Sequence, residues 1–150
     1  MSITLPASLE IRLKSESLET GLKTVLEHFA CQAGTYHSMR DGLLHLQCAV
    51  NIPPFVLDAI REVPVGKGIA GLAAQRLEPV SLCNLQTDAS GQARPNAKAT
   101  GMEGSLAVPA LAPDGVLRGV LGIAKASAHD WTEEEKEGVR AAAALLSASC

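Results

Sequence analysis

The sequence predicts an α+β domain in which an antiparallel sheet carries helices from both ends of the chain. Asp41-Gly42 and Asp114-Gly115 each stand between two apolar segments, which is the strongest short-range signal for a β-hairpin. The longest helical stripes lie near the two ends, so strands mostly follow strands and the βαβ alternation of a parallel fold is missing. With 150 residues, of which 47% are hydrophobic, the chain is long enough for one substantial core.

The first half of the chain is predicted to hold a helix and then a hairpin. Residues 1–15 form a lead-in that is partly helical, and the domain proper is expected over residues 16–150. Ser17 is placed to cap a helix that runs to about residue 29. Strands are predicted over residues 34–39 and 43–50. In the second strand every second residue is apolar, which predicts one apolar face formed by Leu44, Leu46, Cys48 and Val50.

The second half is predicted to begin with short elements and to end with a second hairpin and a long helix. Pro53-Pro54 is placed to open a helix that runs to about residue 62. Thr132 and Glu135 form a capping box at the start of the last helix, whose apolar stripe is Val139, Ala142, Ala143 and Leu146. The remaining predictions are a helix over 69–76, a strand over 79–82, a polar loop over 84–103 with a short helix near 95–100, and strands over 104–111 and 116–125.

Charge and composition exclude several classes of partner. The net charge is −3, no basic cluster occurs, and aromatic residues make up only 3% of the chain, so we expect no nucleic-acid binding. No apolar run approaches the roughly 20 residues that span a bilayer, and the N-terminus lacks the layout of a secretion signal, so we expect a cytoplasmic protein with no membrane contact. The four cysteines contain no C-x-x-C pair and are expected to be reduced.

Gly66, Gly68 and Gly71 spell the G-x-G-x-x-G pattern of dinucleotide-binding proteins. That pattern binds pyrophosphate only when a buried strand ends at the first glycine and a helix begins after it. Here Pro64 precedes the first glycine, and the segment before Pro64 favours a helix. We therefore interpret the glycines as a turn that enters a short helix, with Gly71 allowing close packing.

Four motifs in order make the chain resemble GAF domains over about residues 16–149. The turn Pro64-Val65-Gly66-Lys67-Gly68-Ile69-Ala70-Gly71 resembles their P-x-G-x-G-I-A-G turn. The family's S-L-L-A-V-P-L strand is similar to Gly104-Ser105-Leu106-Ala107-Val108-Pro109-Ala110-Leu111. Its G-V-L strand is similar to Gly119-Val120-Leu121-Gly122-Ile123. The F-T-x-E-D start of its last helix is similar to Trp131-Thr132-Glu133-Glu134-Glu135. The resemblance implies an antiparallel sheet of five or six strands, with the terminal helices on one face and a ligand pocket on the other.

The resemblance also implies a function, which is a sensory module that binds a small molecule and signals through a homodimer of its terminal helices or through a partner protein. Its ligand and any cofactor stay unnamed, because fold does not determine function. A purely structural dimerisation module is an alternative that mutation of Leu22 or Leu146 to Glu would test. The N-K-F-D-E-like set of cyclic-nucleotide-binding members and the Cys-His pair of bilin-binding members are both missing from the sequence. A haem on His37 or His45 is disfavoured, because an isolated histidine on a strand is more often structural or exposed. A metal bound by Cys31, His37, His45 and Cys48 is also disfavoured, since His45 and Cys48 are expected on opposite faces of their strand.

An enzymatic alternative is free methionine-R-sulfoxide reductase, which the chain resembles in being a small GAF domain. Those enzymes need neighbouring thiols for attack and resolution. Where their turn reads G-x-C-G, this sequence has Ala70, and Cys83 is the only cysteine between residues 49 and 149. We therefore expect binding rather than catalysis.

The candidate binding residues lie mainly in and beside the polar loop. Their side chains supply donors, acceptors and charge, and the guanidinium of Arg94 suits a carboxylate or phosphate. The predicted set is Tyr36 on the first strand with Asn84, Thr87, Asp88, Arg94, Thr100 and Ser105.

Overall fold

The structure, a computed structural model, describes residues 6–87 and 100–148. Its helices are α1 (Ala7–Ser15), α2 (Leu18–His28), α3 (Pro54–Ala59), α4 (Gly68–Arg76) and α5 (Glu133–Ser147). Its strands are β1 (Ala33–Arg40), β2 (Leu43–Val50), β3 (Glu62–Pro64), β4 (Val80–Leu82), β5 (Gly104–Leu111) and β6 (Leu117–Lys125). In the described part of the chain these strands form one six-stranded antiparallel sheet in the order β3-β2-β1-β6-β5-β4. The predicted α+β class is confirmed.

Local chemistry accounts for the ends of the long helices. The hydroxyl of Ser17 accepts a hydrogen bond of 3.3 Å from the backbone N–H of Thr20 at the start of α2. At α5, Thr132 accepts from the N–H of Glu135 and the Glu135 carboxylate accepts from the N–H of Thr132, which completes the predicted capping box. These bonds satisfy N–H groups that a helix start otherwise leaves without partners.

The terminal helices cover one face of the sheet and bury a large apolar core against it, called here the helix-side core. Leu22 of α2, Tyr36 of β1, Leu121 of β6 and Leu146 of α5 are all fully buried there. Helix α1 belongs to the same core, because its Leu13 is fully buried. The lead-in is thus helical, while the domain boundary at residue 16 stays a prediction.

A bulge divides strand β2 between the two faces of the sheet, which corrects the prediction of one continuous apolar face. Tyr36 pairs with Cys48, whereas its neighbour His37 pairs with Leu46, so Gln47 is the extra residue. Alternation restarts at the bulge. Cys48 and Val50 therefore pack on the helix-side core, while Leu44 packs in a second cluster on the opposite face.

The helix after Pro53 is shorter than predicted, and a strand follows it. Helix α3 ends at Ala59, whereas the helix was predicted to run to about residue 62. Strand β3 follows and pairs with β2, with Val63 opposite Leu44. Val63 is 5% exposed. The strand is favoured because it pairs the edge of β2 and buries Val63 in the same step.

Candidate functional site

The face of the sheet opposite the terminal helices carries a patch of small residues. Gly122 of β6 pairs with Thr35 of β1 on one side and with Ala107 of β5 on the other. Two residues further along β6, Ala124 lies between Ala33 of β1 and Ser105 of β5. Side chains this small leave space above the sheet that larger residues would fill.

Short elements enclose this space from above. Val56 and Ile60 approach from α3 and the residue after it, and Val63 approaches from β3. The first turn of α4 contributes Gly68, Ile69 and Ala70. The position of α4 depends on the glycine turn before it, in which the N–H of Gly66 donates a 2.8 Å hydrogen bond to the carbonyl oxygen of Gly71. A Cβ atom on Gly71 would lie 2.5 Å from the carbonyl oxygen of Pro64, so glycine is required for this approach.

The result is a cavity of about 150 Å³ with a mainly apolar wall. This volume is smaller than the roughly 300–1,000 Å³ that is typical of pockets for drug-sized ligands. Its lining residues are Ala33, Gly34, Thr35, His37, Ile52, Val56, Ile60, Val63, Lys67, Gly68, Ile69, Ala70, Leu85, Thr100, Met102, Ser105, Ala107, Gly122, Ile123 and Ala124.

His37 is the most buried ionisable side chain in this wall, with 2% of its surface exposed. Its Nε2 lies 2.8 Å from the carbonyl oxygen of Ile60, and since a carbonyl only accepts, Nε2 carries the proton. Nδ1 is left with a buried lone pair that has no hydrogen-bond partner among the described residues. Burial lowers the pKa of His37, and the hydrogen bond to Ile60 opposes that shift without reversing it. The ring is therefore neutral near pH 7.

Two of the predicted binding residues lie in the cavity wall, and one lies on the wrong face of the sheet. Ser105 and Thr100 line the cavity. Tyr36 does not, because its side chain points into the helix-side core with no exposed surface. Strand alternation explains the correction, since Thr35 and His37 on either side of Tyr36 both line the cavity.

Of the other predicted residues, Asn84 makes hydrogen bonds within the loop, Thr87 is exposed, and two lie outside the described residues. The amide of Asn84 donates to the Glu103 carboxylate at 3.1 Å, and its oxygen accepts from the N–H of Gln86 at 2.9 Å. Asn84 therefore holds the loop next to Leu85, which lines the cavity. Thr87 is exposed and is not a lining residue. Asp88 and Arg94, like the helix predicted near 95–100, lie outside the described residues.

His37 and Val63 of β3 line the cavity but are not among the residues predicted from the sequence. His37 was weighed only as a haem or metal ligand, and its neighbours in the sequence, Tyr36 and Ser38, give no signal that its side chain is buried. No group of three or more His, Cys, Asp or Glu side chains suited to a metal occurs within residues 6–87 and 100–148.

Ala70 and Cys83, the two positions compared with the reductases, do not both line the cavity. Ala70 lines the cavity, whereas Cys83 is exposed and is not a lining residue. The thiol of Cys83 is hydrogen-bonded to the Asp130 carboxylate, which raises the pKa of that thiol. A thiol with a raised pKa is a poor nucleophile at neutral pH.

Comparison with known proteins identifies similar chains. The family model described as GAF domain matches residues 15–149. The GAF domain of a phosphoenolpyruvate-protein phosphotransferase from Coxiella burnetii is 22% identical, with a TM-score of 0.72, over 95% of this chain and 88% of that one. Free methionine-R-sulfoxide reductase from Neisseria meningitidis, solved with its substrate, is 17% identical, with a TM-score of 0.74, over 94% and 83%.

A third similar structure is a domain of a two-component sensor histidine kinase protein from Sinorhizobium meliloti. It is 16% identical with a TM-score of 0.68, over 87% of this chain and 85% of that one. At these identities the structures share the fold. No curated protein matches the chain. Within the described residues, no helix has both the length and the apolar character needed to cross a membrane.

Proposed function

Because the chain belongs to the GAF domain family, we propose that it is a sensory module that binds a small molecule in the cavity and passes the change to a partner. The observation that carries this proposal is the patch of Ala33, Ala107, Gly122 and Ala124 beneath three enclosing elements. Interiors of proteins are otherwise close-packed, so a space of about 150 Å³ is a feature that a ligand accounts for.

Helix α3 is the element through which we propose that binding is transmitted. Its inner side places Val56, which is 2% exposed, against the cavity, and its outer side presents Phe55, which is 65% exposed. The hydrogen bond from His37 to Ile60 ties the end of the helix to the sheet. A ligand in the cavity would support Val56 and Ile60 from below and so alter the position of Phe55, which a partner can contact.

We propose that the module does not convert its ligand. Two features support this. Ala70 occupies the place where the resembling reductases carry a cysteine, and the exposed Cys83 lies outside the cavity wall. The bond from the Cys83 thiol to Asp130 also favours the protonated form of Cys83.

We further propose a homodimer formed by the terminal helices. The support is Ile11 of α1, which is 66% exposed although it is a large apolar side chain. Leu22 and Leu146, which the sequence suggested as test positions, are fully buried inside the chain, so Glu there would disrupt the core of each monomer. Ile11→Glu is the informative change, and sedimentation velocity should show a shift from dimer to monomer with unchanged circular dichroism.

The ligand-binding proposal is tested by thermal denaturation against a panel of metabolites, together with mass spectrometry of molecules that stay bound through purification. A ligand at a hundred times its Kd stabilises by about 2.7 kcal/mol, which a thermal shift detects. Ala70→Leu places a larger side chain in the cavity wall and should abolish the shift, whereas Ala128→Leu at an exposed position should retain it. A shift of equal size in the Ala70→Leu variant would show that the ligand binds elsewhere, and a panel without any shift would count against the sensor.

A further inference from the structure

The N-terminal end of α4 borders the cavity. The residues of α4 that line it are confined to the first turn, Gly68, Ile69 and Ala70, together with Lys67 just before the helix. The backbone N–H groups of Gly68, Ile69 and Ala70 make no hydrogen bond to an acceptor in the described part of the chain. Unpaired N–H groups at the start of a helix attract negatively charged oxygen atoms.

Lys67 adds a positive charge at the same end of the cavity. It is exposed, and its ammonium makes no ion pair within residues 6–87 and 100–148. None of the described lining residues is an aspartate or a glutamate. The wall therefore offers partners to one negative charge, whereas an ammonium group of a ligand would lie beside Lys67 with no carboxylate to pair with.

Ser105 is an independent indication of a polar ligand. Its side chain lies on the cavity side of β5, because the next residue, Leu106, packs in the helix-side core. Ser105 is only 6% exposed, yet its hydroxyl makes no hydrogen bond to the described part of the chain. Unlike Nδ1 of His37, which is fully enclosed, this oxygen keeps accessible surface toward the cavity. A buried hydroxyl normally has a partner, and a ligand oxygen would supply one.

We propose that the cavity binds an organic acid that carries one carboxylate, a second oxygen and no amino group. The carboxylate lies against the first turn of α4 beside Lys67, and the second oxygen, a hydroxyl or a carbonyl, pairs with Ser105. The carbon chain lies on the small apolar residues of the floor, Ala107, Gly122 and Ala124. This inference rests on the proposed function, because it names the class of ligand for the same cavity.

The first test compares four-carbon molecules that differ in one group, by isothermal titration on the full chain. The acids are 2-, 3- and 4-hydroxybutanoate, so that the hydroxyl is offered at each position, with butanoate as the acid that lacks it. At least one hydroxy acid should bind, roughly three- to tenfold more tightly than butanoate, the ratio that one net hydrogen bond supplies. The corresponding aminobutanoates should show no binding over the same concentration range. The corresponding butanediols should bind roughly tenfold more weakly or worse, because they lack the charge.

The second test locates the carboxylate. In the ¹H–¹⁵N spectrum, the backbone amide resonances of Ile69 and Ala70 should shift when the best hydroxy acid is added. Lys67→Gln should weaken its binding roughly two- to fivefold, as expected for an exposed charge. Lys14→Gln, which removes an exposed charge of α1 outside the cavity wall, should leave the affinity unchanged.

The third test addresses Ser105. Ser105→Ala should bind the best hydroxy acid as weakly as butanoate, while its stability to urea stays that of the wild type, because no hydrogen bond within the described chain is lost. Ser81→Ala on β4, outside the cavity wall, should retain the preference for the hydroxy acid.

Two results would overturn this ligand class and leave the sensor proposal standing. One is binding of an aminobutanoate, or of inorganic phosphate, more tightly than any hydroxy acid. The other is binding of a hydroxy acid that moves neither amide resonance of the first turn. Failure of all four acids to bind would also overturn the class, and the sensor proposal would fall with it only if the metabolite panel also found no ligand.

Discussion

The imidazole of His37 donates a 2.8 Å hydrogen bond to the carbonyl oxygen of Ile60, which joins the middle of the sheet to the end of α3. The donor lies on β1 and the acceptor lies 23 residues later, beyond the bulged strand β2. The bond therefore fixes the element that closes the cavity to the strand that forms part of its floor. Its strength depends on the protonation state of a buried ring.

We predict that stability falls as the pH drops below 6.5, the ordinary pKa of histidine. Burial lowers the pKa of His37 in the folded chain, so the unfolded chain takes up a proton first. The contribution is fully present above pH 6.5 and is lost progressively as the pH falls toward the lowered pKa. Urea unfolding at a series of pH values measures it. In His37→Gln, whose amide can still donate to Ile60, this part of the pH dependence should disappear.

The matched control is His45→Gln, which removes a histidine from the neighbouring strand without touching α3. It should retain most of the pH dependence of the wild type, because the charge of His45 is a smaller cause of the lowered pKa of His37 than burial is. If His37→Gln and His45→Gln gave the same profile, the buried ring of His37 would not be its source. A further variant, His37→Leu, should lose about 1–3 kcal/mol above pH 6.5, because the Ile60 carbonyl loses its donor. Its difference from the wild type should shrink as the pH falls below 6.5, because Leu does not titrate.

Gly71→Ala should destabilise the chain by about 1–3 kcal/mol, the usual cost of forcing an extra carbon into a packed site. The new Cβ would lie 2.5 Å from the carbonyl oxygen of Pro64 and 3.1 Å from the N–H nitrogen of Gly66. Both contacts are backbone atoms, so the turn itself must move. Chemical denaturation measures the loss.

Gly138→Ala in α5 is the control for that substitution, since its Cβ would meet only the ring of Phe29, at 3.3 Å. A ring tip can yield, and alanine favours a helix over glycine by about 1 kcal/mol, so this variant should be close to neutral or more stable. Equal losses in the two variants would indicate that the contact with Pro64 is not the cause.

Glu135 should make stability depend on pH in a second, more acidic range. Burial alone would raise the pKa of Glu135, but hydrogen bonds from Thr132 and His129 outweigh that effect and lower it. A lowered pKa gives stability that is present above pH 4.5 and is lost as the pH falls below that value. Unfolding curves of Glu135→Gln should be flatter in this range than those of the wild type.

Glu134→Gln, at an exposed position in the same turn of α5, serves as the comparison and should keep the slope of the wild type. Thr132→Ala removes the other half of the capping box and should cost about 1 kcal/mol at neutral pH. A wild-type slope in Glu135→Gln would mean that other carboxylates set the acid limit of stability.

The parts of the fold that depend on local chemistry were predictable from the sequence. The Asp41-Gly42 turn was expected between β1 and β2, and both residues adopt the positive φ angles that such a turn needs, 53° and 80°. The capping box at Thr132 and the glycine turn at Gly71 were predicted for the same reason, since their residues act on neighbours in the chain.

The site was less predictable because it depends on contacts between distant strands. Both faces of β1 are buried in its first half, so periodicity could not show that Tyr36 faces the helices while His37 faces the cavity. The bulge at Gln47 follows from the pairing of β1 with β2, which no local signal in β2 reveals. The floor of the cavity required the register of three strands, and alanine and glycine at those positions have no distinctive signal in the sequence.

The last prediction concerns Cys83, the residue on which the enzymatic alternative depends. Its thiol is bonded to the Asp130 carboxylate, which raises its pKa above 9.0, so little thiolate exists at neutral pH. Alkylation by iodoacetamide, followed at this residue by peptide mass spectrometry, should be slower than for an unstructured cysteine peptide, although Cys83 is exposed. Asp130→Asn should accelerate it. The wild type should not reduce free methionine sulfoxide with a thiol reductant, and turnover that Cys83→Ser abolishes would establish catalysis in place of sensing.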